Sequence, residues 1–180
     1  MSGHSKWSTI KHKKAVVDAK RGAAFTKVAK KIQIAAKRGG IGDPDKNPFL
    51  RSVLEEAREI NMPAENVKRA IDKALGAGDG QSLEEVIYEA YGPGGVGLMI
   101  TCATDNRNRT GGVIKTLVEK AGGSLGSPGS VSYLRSIVPT PAMVLTGDDK
   151  TACDSLVLAL EENDDVLEIW TNLSEDEQEN

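Results

Sequence analysis

The spacing of apolar residues predicts that the first part of the chain is helical. Apolar positions recur every three or four residues, as on one face of an amphipathic helix, in segments 11–37, 48–60 and 67–75. We therefore expect three or four short helices that form one small all-α domain over residues 1–76. The predicted buried positions are Phe25, Val28, Ala29, Ile32, Ala35, Ala36, Phe49, Leu50, Val53, Leu54, Ala57, Ile60, Val67, Ala70, Ile71, Ala74 and Leu75.

Local signals mark where these helices begin and end. Asn47 can cap a helix, and Pro48 suits the first helical position. Pro63 interrupts the helical pattern, and Gly76 ends it. Gly22 leaves open whether the first segment is one helix or two.

The pattern changes after residues 77–81, which have the composition of a linker. Residues 82–173 alternate short apolar segments with helical ones, which predicts an α+β sandwich of ββαββαβ, ferredoxin-like order with both helices on one sheet face. The strands are predicted at 84–91, 96–103, 131–134 and 166–171, and residues 137–138 either extend the third of these strands or begin a further one. The second helix of this part is predicted to begin at Asp149, and residues 174–180 form an acidic tail. The chain as a whole is therefore predicted to be an α+β multidomain protein.

Charge is distributed unevenly along the chain. Residues 1–40, here called the basic head, hold eleven Lys/Arg and one acid, a net charge of +10, whereas residues 81–180 hold six bases and seventeen acids, a net charge of -11. A solvated basic helix face normally carries several acids three or four positions from its bases, whereas the head holds one acid in forty residues, so it indicates nucleic-acid binding. The candidate binding residues of the head are Lys6, Trp7, Lys11, Lys13, Lys14, Lys20, Lys27, Lys30, Lys31 and Arg38.

Two features refine this interpretation of the head. On a helical wheel the side chains of Lys13, Lys20, Lys27, Lys31 and Arg38 align beside the apolar face, which predicts an exposed cationic ridge. Trp7 can either stack on a nucleobase or fill the core of the helical domain.

The polar segment 104–110 lies where a strand is followed by a helix. Capping by Asp105 or Asn108 explains part of it, but two arginines at a helix N-terminus oppose the helix dipole. Arg107 and Arg109 would be better placed beside an anion such as an RNA phosphate, and they are the remaining candidate binding residues.

The residue inventory argues against several other classes of function. The glycines of segment 92–97 match a dinucleotide-binding spacing, but an apolar strand follows where that site needs a helix, which favours a hairpin turn. Cys102 and Cys153 are predicted to be buried packing thiols, and the two histidines lie only in the head, so we expect no catalytic set, metal site or cofactor. The acidic run 161–165 is more typical of a solvated loop than of a metal site. No apolar run approaches the roughly 20 residues that cross a membrane.

Several longer motifs resemble one known family. In the first part they are Gly3-His4-Ser5-Lys6-Trp7, Phe25, Lys27, Lys30, Gly39-Gly40, Asp43-Pro44 and Asn47. In the second part they are Tyr88, Glu89, Tyr91–Gly95, Thr104–Thr110, Gly129–Val131 and Asn163–Val166. This set is similar to the YebC family of probable transcriptional regulatory proteins and translational activators. The resemblance implies a helical N-terminal domain followed by two α/β domains, of which the third is inserted into the second.

The resemblance also implies a function and a difference. Family members are cytoplasmic bacterial proteins, with mitochondrial relatives that activate translation, and they have been connected both with DNA and with ribosomes stalled at proline-rich sequences. This chain is shorter, and the inserted domain expected near 136–139 is missing. We expect a non-enzymatic, cytoplasmic translation factor that binds the ribosome or ribosomal RNA, and alternatively a regulator that binds duplex DNA. No membrane partner is expected, and no oligomeric state is predicted.

Overall fold

The computed structural model describes residues 5–6, 18–76, 82–136 and 142–174, with side chains described from residue 22 onward. Two compact units divide the chain: a helical unit that contains residues 15–86 with 103–107, and an α+β unit that contains the remaining residues. The predicted linker at 77–81 and the tail after residue 174 lie outside the described residues.

Three helices build the described part of the helical unit. Helix α1 spans Asp18–Gly39, α2 spans Pro48–Glu59 and α3 spans Ala64–Ala74. Helix α1 continues through Gly22, so the first segment forms one helix there. The helices bury one small core that consists of Val28, Ile32, Ala35, Leu50, Ala57 and Ala70.

Asn47 joins α1 to α2, and the cap predicted there is confirmed. Its side-chain oxygen accepts a hydrogen bond from the backbone N–H of Leu50 at 3.1 Å, and its amide nitrogen donates to the carbonyls of Ala35 and Ile41, both at 3.0 Å. A Cβ at Gly39 would collide with the Asn47 side chain, which explains why glycine ends α1 at this close approach.

Two residues that the helical pattern assigned to this core are exposed. Phe49 is 47% exposed and Leu75 is 45% exposed, so both predictions are wrong. Leu50, Val53, Leu54 and Ala57 already complete the apolar face of α2, which leaves Phe49 at its edge.

A five-stranded sheet forms the centre of the α+β unit, in the order β1-β5-β3-β2-β4. The strands are β1 Ser5–Lys6, β2 Glu84–Tyr91, β3 Gly97–Thr104, β4 Ser124–Leu125 and β5 Val166–Thr171. Strand β1 pairs antiparallel with β5, although the apolar pattern placed residues 5–6 in the helical domain. Strands β3 and β5 are also antiparallel, with Ile100 opposite Ile169.

Helices α4, Arg107–Lys120, and α5, Gly147–Glu162, pack on one face of the sheet, as predicted. The core on this face is formed mainly by Ala90, Leu98, Ile100, Cys102, Ile114, Val118, Cys153, Leu156, Val157, Leu160, Val166 and Ile169. Helix α5 begins two residues before Asp149, at Gly147. The predicted α+β fold class is confirmed.

The strand predicted at 131–134 is wrong. Ser132–Arg135 forms a 3₁₀ turn, and Val131 and Leu134 pack with Met99 on the other face of the sheet. Both residues lie three positions apart, which is the repeat of a 3₁₀ helix. An apolar pattern this short does not separate that repeat from an alternating strand.

Candidate nucleic-acid interface

The candidate residues of the basic head fall into three groups. Trp7, Lys11, Lys13 and Lys14 lie outside the described residues. Lys6 and Lys20 are described only as backbone, in β1 and α1. Lys27, Lys30, Lys31 and Arg38 have described side chains on α1.

Lys31 does not lie on an exposed ridge. Its ammonium group contacts both carboxylate oxygens of Glu56 on α2, at 2.7 and 3.0 Å, and its side chain is only 11% exposed. The expectation that this side chain faces solvent is therefore wrong. The physical reason is that α2 packs against α1 and supplies the acid that the local sequence of α1 lacks.

Two further lysines of α1 hold backbone segments within the helical unit. The ammonium group of Lys30 lies 3.4 Å from the carbonyl oxygen of Ala103 at the end of β3. Lys37 donates to the hydroxyl of Ser82 at 2.6 Å and to the carbonyl of Leu83 at 3.2 Å, just before β2 begins. Lys27 is half-buried. Much of the described positive charge of α1 is thus engaged in contacts within the protein.

Arg38 differs from these lysines because it is exposed and lies over an exposed aromatic ring. Its guanidinium carbon is 4.4 Å from the ring centroid of Phe49, which is the geometry of a cation–π contact. Sequence reasoning missed Phe49 because it counted any apolar residue at the start of α2 as core. The complete apolar face formed by Leu50, Val53 and Ala57 is the signal that could have identified it.

The second candidate region lies at the start of α4. The Thr104 hydroxyl accepts a hydrogen bond from the backbone N–H of Asn106 at 2.9 Å, and the helix begins at Arg107, so Asn108 lies inside it. The Arg109 side chain is 52% exposed and contacts the carboxylate of Asp165 at 3.1 Å. The same carboxylate oxygen accepts a hydrogen bond from the hydroxyl of Thr110 at 2.7 Å.

The carboxylate of Asp165 is therefore the anion beside Arg109, where the sequence analysis expected an RNA phosphate. A carboxylate beside the first turn of a helix also offsets the unfavourable position of a cation there. Within the acidic run 161–165, Asp165 therefore has a structural role. Among the described residues, no group of three or more His, Cys, Asp or Glu side chains could hold a metal ion.

The glycine-rich turn and the two cysteines are the other features that the sequence suggested as possible sites. Pro93–Gly95 forms a 3₁₀ turn that leads into β3 and not into a helix, so the dinucleotide-binding alternative fails as expected. Cys102 and Cys153 are both buried, as predicted, and neither is in a disulfide. Burial raises the pKa of Cys153 to about 11. Within the described residues, no helix is both long and apolar enough to cross a membrane.

Comparison with known proteins identifies the family. Residues 5–77 match the TACO1/YebC protein N-terminal domain, and residues 83–135 match the TACO1/YebC second and third domain. A relative from Chloroherpeton thalassium, named "Probable transcriptional regulatory protein", is 56% identical over 134 residues, which cover 74% of this chain and 53% of the relative. The chain thus spans about half the length of this curated relative.

Two further comparisons extend over almost the whole chain. A relative of the same name from Limosilactobacillus fermentum is 47% identical over 97% of this chain and 72% of its own length. The crystal structure of a conserved hypothetical protein from Aquifex aeolicus is 31% identical, with a TM-score of 0.82 over 97% of this chain and 99% of that chain. Both matched domains and the similarity to the longer relatives agree, and the chain belongs to the TACO1/YebC family.

Proposed function

We propose that this chain is a non-enzymatic regulator of gene expression that acts in the cytoplasm by binding ribosomal RNA on the ribosome. The observation that carries the proposal is the charge asymmetry, with +10 in residues 1–40 and -11 in residues 81–180. A cationic segment joined to an acidic body attaches to a polyanion through one end and repels it elsewhere. Ribosomal RNA on the ribosome is such a polyanion.

The proposed contact residues are not equivalent. Lys6, Lys11, Lys13, Lys14 and Lys20 carry positive charge of the head outside the described side chains, and Arg38 continues it at the end of α1. Trp7 adds an aromatic side chain to the same part of the head. Lys27 and Lys30 are half-buried, and they remain weaker candidates. Lys31 is the weakest candidate, because its ammonium group contacts Glu56 and its side chain is mostly buried. Arg107 and Arg109 form the proposed second contact, with Arg109 oriented by Asp165.

A second candidate function is the regulation of transcription through duplex DNA. The observation that favours it is the name that the relatives carry, "Probable transcriptional regulatory protein". The same basic head would serve this function, because contacts to phosphates carry no sequence information. The first function predicts that the chain binds ribosomes more tightly than duplex DNA. The second predicts tighter binding to a DNA duplex of defined sequence.

Co-sedimentation with ribosomes over a series of salt concentrations tests the proposal. Neutralising about five phosphates predicts a log–log salt slope of roughly -3 to -5. Reversing two charges of the head, Lys13→Glu with Lys14→Glu, is expected to flatten the slope by about one or two units. The matched control reverses two exposed lysines of α4, Lys115→Glu with Lys120→Glu, and is expected to keep the parent slope. A protein that ignores ribosomes at low salt but protects a defined duplex sequence from cleavage would support the DNA function instead.

We also propose that the chain lacks the third domain of its family, which would be inserted near residues 136–139. The match to the second and third domain ends at residue 135, which supports this assignment. We propose residues 77–81 as the linker between the helical domain, which the sequence pattern bounds at residues 1–76, and the α+β domain, residues 82–173, to whose sheet β1 is added. Limited proteolysis is expected to cut first at the linker, and first cleavage within β3 or α4 would contradict it.

A further inference from the structure

The contact between Arg38 and Phe49 offers a surface that the fold of the helical unit does not require. Among the residues that the structure describes, Phe49 is the only Phe, Tyr or Trp that is exposed. The core that Leu50, Ala57 and their neighbours form excludes the Phe49 ring. Because the residue is almost half exposed, part of the ring is open to a partner.

The position of the ring is nevertheless fixed by the local structure. Phe49 directly follows Pro48 in the first turn of α2, and this turn is held by the buried cap residue Asn47. Arg38, in the last turn of α1, lies over the ring. The pair thus presents a planar aromatic group and a planar cation without further ordering of either backbone. Preorganised planar groups bind flat ligands at a low entropic cost.

The charge around the pair is positive but mixed. Lys37, Arg38, Lys46 and Arg51 lie within segment 37–51, whose acids are Asp43 and Asp45. The guanidinium group of Arg51 donates to the carbonyls of Pro44 and Asp45, at 3.1 and 2.9 Å, and so fixes the loop between α1 and α2. The carboxylate of Asp43 lies 3.8 Å from the ammonium group of Lys46. A net charge of +2 over this segment favours an anionic partner.

We propose that Arg38 and Phe49 form a stacking platform for one unpaired base of single-stranded RNA. This inference rests on the proposed function and names the form of RNA that the helical unit recognises. Bases within a duplex are stacked on one another, whereas unpaired bases stack on aromatic rings and on arginine guanidinium planes. One ring and one cation are too small a surface for a stable protein partner, which buries roughly 800 Å² on each side.

The platform makes a contribution to binding that salt does not screen. Contacts to phosphates release counterions and weaken as salt rises, whereas stacking of a base depends on its uncharged face. A substitution at Phe49 should therefore lower affinity by the same factor at every salt concentration. A substitution in the basic head should instead change the slope.

The test measures the binding of fluorescent oligo(U) RNA of about a dozen nucleotides, and of an RNA duplex of equal length, to the full chain. Phe49→Leu keeps an apolar side chain but removes the ring, and we expect single-strand affinity to fall roughly 5- to 150-fold. Duplex affinity should stay within about twofold and the salt slope should not change. Phe49→Trp should retain the single-strand affinity of the parent. Leu158→Ala, at a residue of the α+β unit that is 49% exposed, is the matched control and should have no effect.

The other outcomes decide either against the platform or against the proposed function on which it rests. Equal single-strand binding by Phe49→Leu and the parent would overturn it, and the proposed function would stand if the parent still binds RNA with the expected salt slope. An equal loss for single strand and duplex would also overturn it, because a base-stacking site distinguishes the two. Dependence on Phe49 for oligo(dT) but not for oligo(U) would overturn the assignment to RNA. Absence of all RNA binding by the parent would instead contradict the proposed function.

Discussion

The helical unit and the α+β unit differ in the charged side chains that hold their backbone segments in place. In the helical unit, cations hold the fold: Lys31 contacts Glu56 of the neighbouring helix, and Lys37 holds the backbone before β2. In the α+β unit, carboxylates have this role. Both oxygens of Glu89 accept backbone hydrogen bonds, from Gly129 at 2.6 Å and from Val131 at 2.7 Å.

This difference shows why a formal charge count overstates the charge that a partner can reach. The basic head carries a net charge of +10, yet Lys31 is paired inside the helical unit. Similarly, Asp165 belongs to the acidic part of the chain but holds Arg109 and Thr110 in place. Charge that stabilises a fold can be separated from charge that binds a partner by comparing effects on stability with effects on salt slope.

The largest effects are expected from the two cores. Leu160→Ala in the α+β unit and Leu50→Ala in the helical unit each remove a fully buried side chain, and each should lower the free energy of unfolding by about 2–5 kcal/mol. Urea denaturation followed by circular dichroism measures both. A loss below about 1 kcal/mol for Leu50→Ala would show that the smaller helical core does not stabilise its unit.

A substitution of Asn47 should produce the next largest effect, because this buried, uncharged side chain makes three hydrogen bonds in the helical unit. Asn47→Ala removes three hydrogen bonds and leaves the Leu50 N–H and two carbonyls without their partner, which should cost about 1–3 kcal/mol. Asn47→Asp keeps the capping oxygen but loses the amide donor. Its second carboxylate oxygen would face the carbonyls of Ala35 and Ile41 in a buried site, so in thermal unfolding it should be no more stable than Asn47→Ala. Equal stability of the parent and Asn47→Ala would rule out the cap as a main support of this unit.

The sequence predicted those features of the fold that depend on local chemistry. The start of α2 at Asn47 and Pro48, the strand at 84–91 and the end of α3 before Gly76 were all predicted correctly, because each needs only neighbouring residues. The pairing of β1 with β5 joins residues 5–6 to residues 170–171, and no local pattern encodes such a contact.

The candidate site was harder to predict for a related reason. The helical wheel of α1 identified the correct apolar positions, but it could not show that α2 brings Glu56 to Lys31. For the same reason the sequence did not reveal the partner of Arg109, since Asp165 lies on a loop more than fifty residues later. Exposure of Phe49 likewise depends on which edge of α2 the other helices cover. Charge and polarity are local, whereas partners are set by tertiary packing.

Breaking the ion pair Lys31–Glu56 of the helical unit, or Arg109–Asp165 of the α+β unit, should lower the free energy of unfolding by less. Lys31→Met removes the cation from a side chain that is mostly buried, and should cost about 1 kcal/mol. Arg109→Met should cost less, because its side chain is half exposed, whereas Asp165→Ala should cost more than Arg109→Met because Thr110 also loses its acceptor. Double-mutant cycles, Lys31 with Glu56 and Arg109 with Asp165, measure each coupling. A larger coupling for Arg109 would reverse the expected order.

The smallest effect at neutral pH concerns the thiols, both of which belong to the α+β unit. Burial raises the pKa of Cys153 from 9.0 to about 11, so the folded state retains a proton that the unfolded state loses between these values. The resulting stabilisation is complete below pH 9 and disappears as the pH rises to about 11, with a slope of at most about 1 kcal/mol per pH unit. Urea denaturation at pH 8 and at pH 10, under reducing conditions, measures this slope. Cys153→Ala should make it shallower, and the part that remains should include Tyr133, whose pKa burial also raises. The free energy of unfolding could instead fall equally steeply with rising pH in Cys153→Ala and in the parent. That result would assign the pH dependence to groups other than Cys153.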